Sequence, residues 1–142
     1  MRVAFTSDHA GIELKSILIE HLEKKGYEIV DVGPNVKESV DYPDYAHKMC
    51  DIIISKEVDL GIAICGTGIG MSIACNKVKG IRASLCSEPY SARLTRNHND
   101  SNVLCLGARV IGEELAKEIV DIYLKAEFEG GRHQNRIDKL EN

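Results

Sequence analysis

Five cysteines are spread through this 142-residue chain, and only one stands where a thiol could do chemistry. Cys65 closes the apolar run Leu60 to Cys65 and is followed at once by Gly66-Thr67-Gly68-Ile69-Gly70. Glycines in a turn that opens a helix leave main-chain amides free to converge on an anion, so this run can hold an oxyanion or a phosphate. A thiol directly before such a nest has amide donors and the positive end of a helix dipole beside it, which favours thiolate and makes it a competent general base. Cys50, Cys75, Cys86 and Cys105 lack that setting and read as small buried hydrophobes.

Other uses of the glycine run fail on spacing. A dinucleotide-binding G-x-G-x-x-G needs glycine where Met71 stands and normally follows the first strand, a Walker loop needs a Gly-Lys-Ser/Thr triplet, and a cysteine phosphatase loop needs arginine at that same Met71. The remaining reactive groups are Asp8-His9, Ser87-Glu88, Gly107-Ala108-Arg109 and His98 within Asn97-His98-Asn99-Asp100-Ser101-Asn102, a polar loop whose amides and imidazole suit sugar hydroxyls. Asp8 can equally cap the first helix. His21 and His47 fall on helices with no carboxylate or thiol partner implied, and the five histidines share no HxH or HxxxH spacing, which disfavours a metal site.

The elements that must position these groups alternate between short β-branched runs and stretches of helical period, the pattern of a parallel α/β sheet. Strands are predicted at Val3 to Thr6, Glu28 to Val32, Leu60 to Cys65, Ile81 to Cys86 and Val103 to Leu106. Helices are predicted from Ile12 to Lys25 with Leu14, Leu18 and Leu22 inward, Asp44 to Ser55, the glycine run to Lys77, Glu88 to a fading end near Asn97, and Gly112 to Lys125. The expected fold is a single α/β domain over residues 1–142, a Rossmann-like three-layer sandwich around a five-stranded parallel sheet. Ligands of such sheets bind beyond the carboxyl ends of the strands, which collects Asp8, His9, Cys65, the glycine run and Arg109 on one rim. The tail from Glu129 to Asn142 is too poor in apolar residues to form its own core and is expected to pack elsewhere or on a partner subunit.

Composition narrows the classes further. A net charge of −4 argues against nucleic-acid or anionic-membrane partners. An odd set of cysteines without CxxC spacing, no secretory signal and no apolar stretch near eighteen residues point to a reduced, cytoplasmic protein. Of the seven arginines only Arg2 lies early, and guanidinium forks suit a single phosphate or carboxylate.

Together Asp8-His9-Ala10-Gly11, the segment Ile64 to Lys77, Gly80-Ile81-Arg82-Ala83, Cys86-Ser87-Glu88-Pro89-Tyr90-Ser91-Ala92, Asn97-His98-Asn99-Asp100 and Glu129-Gly130-Gly131-Arg132-His133 resemble the type B ribose-5-phosphate isomerases over nearly the whole chain. The resemblance implies a metal-free, cofactor-free interconversion of an aldose phosphate with its ketose. Cys65 is then the base that moves a proton between C1 and C2, the amides of Gly66, Gly68, Ile69 and Gly70 stabilise the enediolate oxygen, and Thr67 relays a proton between the two oxygens. It gives ring opening to His98 with Asp8 as helper, phosphate binding to His9, Arg109, Arg132 and Arg136, and contacts with sugar hydroxyls to Asn99. One branch of that family uses glutamate at the position of Met71, and this chain matches the cysteine branch. The resemblance further implies a site between two subunits, hence a homodimer, with a dimer of dimers as a larger possibility, and the tail from residue 129 packing at that interface. Allose or galactose 6-phosphate is the alternative substrate. A flavodoxin-like binding module without chemistry and a thiol phosphatase are the competing classes; a receiver module needs aspartate where Cys65 stands.

Overall fold

The computed structural model describes residues 1–141, so the end of the expected tail, Asn142, lies outside the described residues. The chain runs β1 (Arg2–Ser7), a single 3-10 turn (His9–Gly11), α1 (Ile12–Glu23), β2 (Glu28–Gly33), α2 (Tyr42–Ile54), β3 (Leu60–Cys65), α3 (Ile69–Asn76), β4 (Ala83–Leu85), α4 (Pro89–Asn99), β5 (Val103–Gly107), α5 (Glu113–Lys125) and α6 (Arg132–Leu140). All strands are parallel, in the order β2-β1-β3-β5-β4. This is the Rossmann-like α/β sandwich that the alternation of runs predicts.

Hydrophobic pattern decides the layers. β3 and β5 are buried throughout, as strands covered on both faces should be. Alternate residues of β1 and β3 feed two cores. Val3, Phe5, Ile62 and Ile64 pack with Leu14, Leu18 and Leu22 of α1 and Ile119, Val120 and Tyr123 of α5. Ala4, Ala63 and Cys65 pack with Met49 and Ile53 of α2 and Met71 and Cys75 of α3. Each such leucine or isoleucine contributes about 1.5–3 kcal/mol by leaving water. Lys15 is buried within α1, and its ammonium is matched by Asp31 Oδ1 at 2.8 Å and the Pro34 carbonyl at 2.7 Å, which ties α1 to the end of β2.

Several boundaries differ from expectation. β4 is three residues long, because it is an edge strand that pairs only with β5, and its mixed Ala83-Ser84-Leu85 is partly exposed while the wholly apolar β5 takes the interior place. α3 begins at Ile69, since Gly66 to Gly68 form the turn before it and Gly70 lies in its first turn. α4 continues to Asn99, so His98 stands on its last turn and not in a loop; Asp100 ends the helix in the left-handed region, φ 45°, which aspartate tolerates. The tail from Arg132 is helical, and its inner face, His133 and Ile137, is buried against α4 of its own chain.

His21 has a carboxylate partner after all. Its Nε2 lies 2.9 Å from Asp121 Oδ1, and Lys25 Nζ lies 2.9 Å from Oδ2, so α1 and α5 are joined by one carboxylate a hundred residues away, beyond any local spacing signal. Burial alone would raise the Asp121 pKa, but hydrogen bonds from Lys25 and His21 outweigh it and hold it below the usual aspartate value. A depressed carboxyl stabilises the fold above its unfolded pKa and loses that contribution as pH falls through the folded one. Asp121→Asn is therefore expected to cost roughly 1 kcal/mol in urea unfolding at neutral pH. The difference from wild type should shrink as pH drops below about 4, the unfolded aspartate range.

Candidate active site

The strand order reverses between β1 and β3: β2 lies to one side of β1, while β3 and its successors lie to the other. A crevice opens at such a reversal, outside the carboxyl ends of the two strands. Asp8 and His9 leave β1 there, and Cys65 with the glycine run leaves β3. Asp8 is fastened on both sides: its amide donates to the Ile64 carbonyl at 3.0 Å, and its Oδ1 accepts from Ala10 N at 2.9 Å, so it does cap the turn. Nδ1 of His9 is buried without a protein partner, a polar atom left over for something else.

Cys65 is 6% exposed, and its Sγ accepts from the amide of Gly68 at 3.2 Å. That donor is the kind a thiolate accepts. The turn can form only because two glycines permit it. Gly68 has φ 82°, and a Cβ there would lie 2.9 Å from the Leu106 carbonyl carbon; a Cβ on Gly107 would lie 2.6 Å from the Thr67 carbonyl oxygen. The backbone after β3 thus lies directly on the end of β5. Thr67 is exposed, with its Oγ1 accepting from Ile69 N at 3.2 Å. Arg109 reaches the same turn: its amide donates to the Gly66 carbonyl at 3.0 Å, and its guanidinium lies beside Gly66. One residue here escaped sequence reasoning. Tyr42, the first residue of α2, lays its ring on Gly70, where a Cβ would lie 2.7 Å from Cζ, and its only sequence signal is its place before Pro43 at a strand-to-helix loop on this rim.

Three of the other thiols are held protonated by their environment. The Cys50 thiol is pushed up by its contact with Cys75 and by burial, and Cys75 by its contact with Cys105 and by burial. Burial, with Glu88 nearby, brings Cys86 up to about 11.

The remaining predicted residues form a second group that does not meet the first. His98 and Asn99 end α4, just before β5 begins at Val103, whereas Cys65 stands opposite Gly107 at the finish of β5. Four residue steps of strand, from Val103 to Gly107, separate the two ends, about 13 Å at roughly 3.3 Å each. The His98 ring stacks on His133, centroids 4.3 Å apart and planes 12° from parallel. Glu129 Oε1 lies 3.8 Å from His98 Nε2 and 3.6 Å from His133 Nε2, a juxtaposition across 31 residues that no spacing rule reveals. Arg132 and Arg136 lie exposed on α6 beside this pair. Two imidazoles and a carboxylate can in principle hold a metal. Here the rings are stacked nearly parallel, so their in-plane lone pairs run side by side and do not converge on one point.

The chain matches the model of the Ribose/Galactose Isomerase family over residues 3–140. It is 53% identical over 98% of its length to the ribose-5-phosphate isomerase B of Escherichia coli, covering 93% of that protein. A solved ribose-5-phosphate isomerase B from Clostridium thermocellum superposes with a TM-score of 0.97 at 53% identity, over 99% of this chain and 95% of that one. The Mycoplasma genitalium enzyme, solved with bound ribulose-5-phosphate, superposes at 0.93 with 48% identity, over 98% and 93% of the two chains. With its thiol-and-amide turn at the β1/β3 crevice and these likenesses along its whole length, the chain belongs to the ribose/galactose isomerase family, whose members are sugar-phosphate isomerases.

Proposed function

We propose that the protein interconverts ribose 5-phosphate and ribulose 5-phosphate with Cys65 as the base, without metal or cofactor. The observation that carries this is the thiol at the end of β3, held by the Gly68 amide in the glycine turn that opens α3. In the open-chain aldose the Cys65 thiolate removes the C2 proton, and the electron pair moves into the carbonyl to give an enediolate. The amides of Gly66, Gly68, Ile69 and Gly70 meet the negative charge as it develops, those of Gly68 and Ile69 by exchanging Cys65 Sγ and Thr67 Oγ1 for the substrate oxygen. Thr67 relays a proton between O1 and O2, and the thiol returns its proton to C1.

The cyclic substrate must first be opened, by His98 as acid on the ring oxygen and Asp8 as acceptor of the anomeric hydroxyl proton. Within one chain those two residues sit at opposite ends of the sheet, which supports a site shared between two copies of the chain in a homodimer. One copy brings Asp8, His9, Cys65, Thr67, the amide turn and Arg109; the other brings His98, Asn99, Arg132 and Arg136. The phosphate falls to His9 and the three arginines, with the unpartnered His9 Nδ1 free to serve it. Anchoring the phosphate lets remote binding energy orient the reacting carbons. Cytoplasmic residence fits five unpaired thiols and the finding that no described helix is long and apolar enough to cross a membrane.

Cys65→Ala is expected to lower turnover of ribose 5-phosphate, followed by proton NMR, by at least about 10³-fold while a substrate analogue still binds; near-normal turnover would remove Cys65 as the base. Gly68→Ala should cost both stability and activity, because the added methyl must displace Leu85 and the Leu106 carbonyl; an unaltered melting temperature with full turnover speaks against a rigid nest. A shared site makes one further demand. Cys65→Ala and His98→Asn chains, each inactive alone, should on mixing and reassembly regain up to about a quarter of wild-type activity, since one site in each mixed pair is intact; no recovery despite proven exchange of subunits contradicts the shared site.

A further inference from the structure

Glu129 has no part in the chemistry assigned above, yet its backbone is tied to α4. Its amide donates to the carbonyl of Asn97 at 3.0 Å, and the Asn97 side-chain amide donates to the Glu127 carbonyl at 2.7 Å. Two bonds therefore clamp the segment 127–129 to the residue directly before His98. From that clamp the carboxylate faces the Nε2 edges of two stacked imidazoles, His98 and His133, at 3.8 and 3.6 Å. His133 is itself 8% exposed and packed, so it forms a fixed wall on one side of the His98 ring. The His98 ring is thus restrained on one face by stacking and at one edge by a carboxylate charge just beyond hydrogen-bond distance.

We propose that Glu129 is a positioning residue for ring opening: its carboxylate fixes the orientation of His98 and supplies the countercharge to the imidazolium that donates a proton to the ring oxygen. This rests on the reading of His98 as the ring-opening acid. In that step the C1–O4 bond breaks with its electron pair going to O4, His98 gives O4 its proton, and Asp8 takes the proton from the anomeric hydroxyl. His98 is left neutral, and the Glu129 carboxylate then faces the proton that returns to the ring from solvent. Proton transfer between C1 and C2 does not pass through Glu129.

The two steps can be read separately, because ribulose 5-phosphate cannot close a furanose ring: its O5 carries the phosphate. Turnover of ribose 5-phosphate needs ring opening, whereas wash-in of deuterium from D2O at C1 of ribulose 5-phosphate reports the proton transfer alone. For Glu129→Gln in the full chain, kcat with ribose 5-phosphate is expected to fall about 10-fold or more while wash-in changes less than about twofold. Glu129→Asp should recover part of the loss. Equal loss in both measurements, as a merely structural role would give, or no loss in either, overturns the proposal. His98→Asn measured alongside separates the two readings. If His98→Asn shows the same split between the measurements and Glu129→Gln does not, only the role of Glu129 falls; if His98→Asn shows no split, the ring-opening role of His98 falls with it.

Discussion

The turn after β3 depends on a close approach of two pieces of backbone. Thr67 and Gly68 lie against Gly107 and the Leu106 carbonyl with no room for a side chain between them. That approach exists because β3 and β5 are neighbours in register, Cys65 opposite Gly107, and the register in turn is held by apolar strands buried on both faces. An oxyanion-binding turn gains its effect from donors that are already fixed when charge appears. Here the fixing agent is the hydrophobic core, transmitted through two glycines to a set of amides and to the thiol beneath them.

The same sheet explains why one copy of the chain keeps the two groups of proposed site residues apart. Parallel strands send every helix back along the sheet, so a residue at the start of α4 sits near the crevice and a residue at its end sits at the far edge. His98 is at that end, with α6 folded over it. In the homodimer we propose, a two-fold axis would be an economical solution, since one pairing of two chains would complete two sites at once.

The sequence revealed those parts of the molecule that rest on local pattern. Strand and helix alternation, the buried character of β3 and β5, and the thiol at the head of a glycine turn are all properties of short windows, and they appear in the fold where the pattern put them. The residues that were missed are brought together by tertiary packing. Tyr42 reaches Gly70 across a helix interface, Asp121 finds His21 from a hundred residues away, and Glu129 meets His98 only because the tail folds into a helix on α4. The strand order was illegible for a related reason: whether β4 or β5 lies inside depends on which is apolar on both faces, a comparison between segments and not a feature of either. Long motifs supplied the remainder, because a resemblance that spans the chain carries tertiary information that periodicity lacks.

The helix α4 is pinned at both ends. Glu88 caps its start through the amide of Ser91, while Arg82 grips the carbonyls of Asn99 and Asp100 at its finish. Between these anchors the number of residues is not free to drift, because inserting or deleting one turns everything beyond it by about 100°. Such a change would swing the imidazole of His98 off His133 and away from Glu129. The helix α4 therefore behaves as a ruler of fixed length, and its residue count should be among the least variable dimensions of the fold.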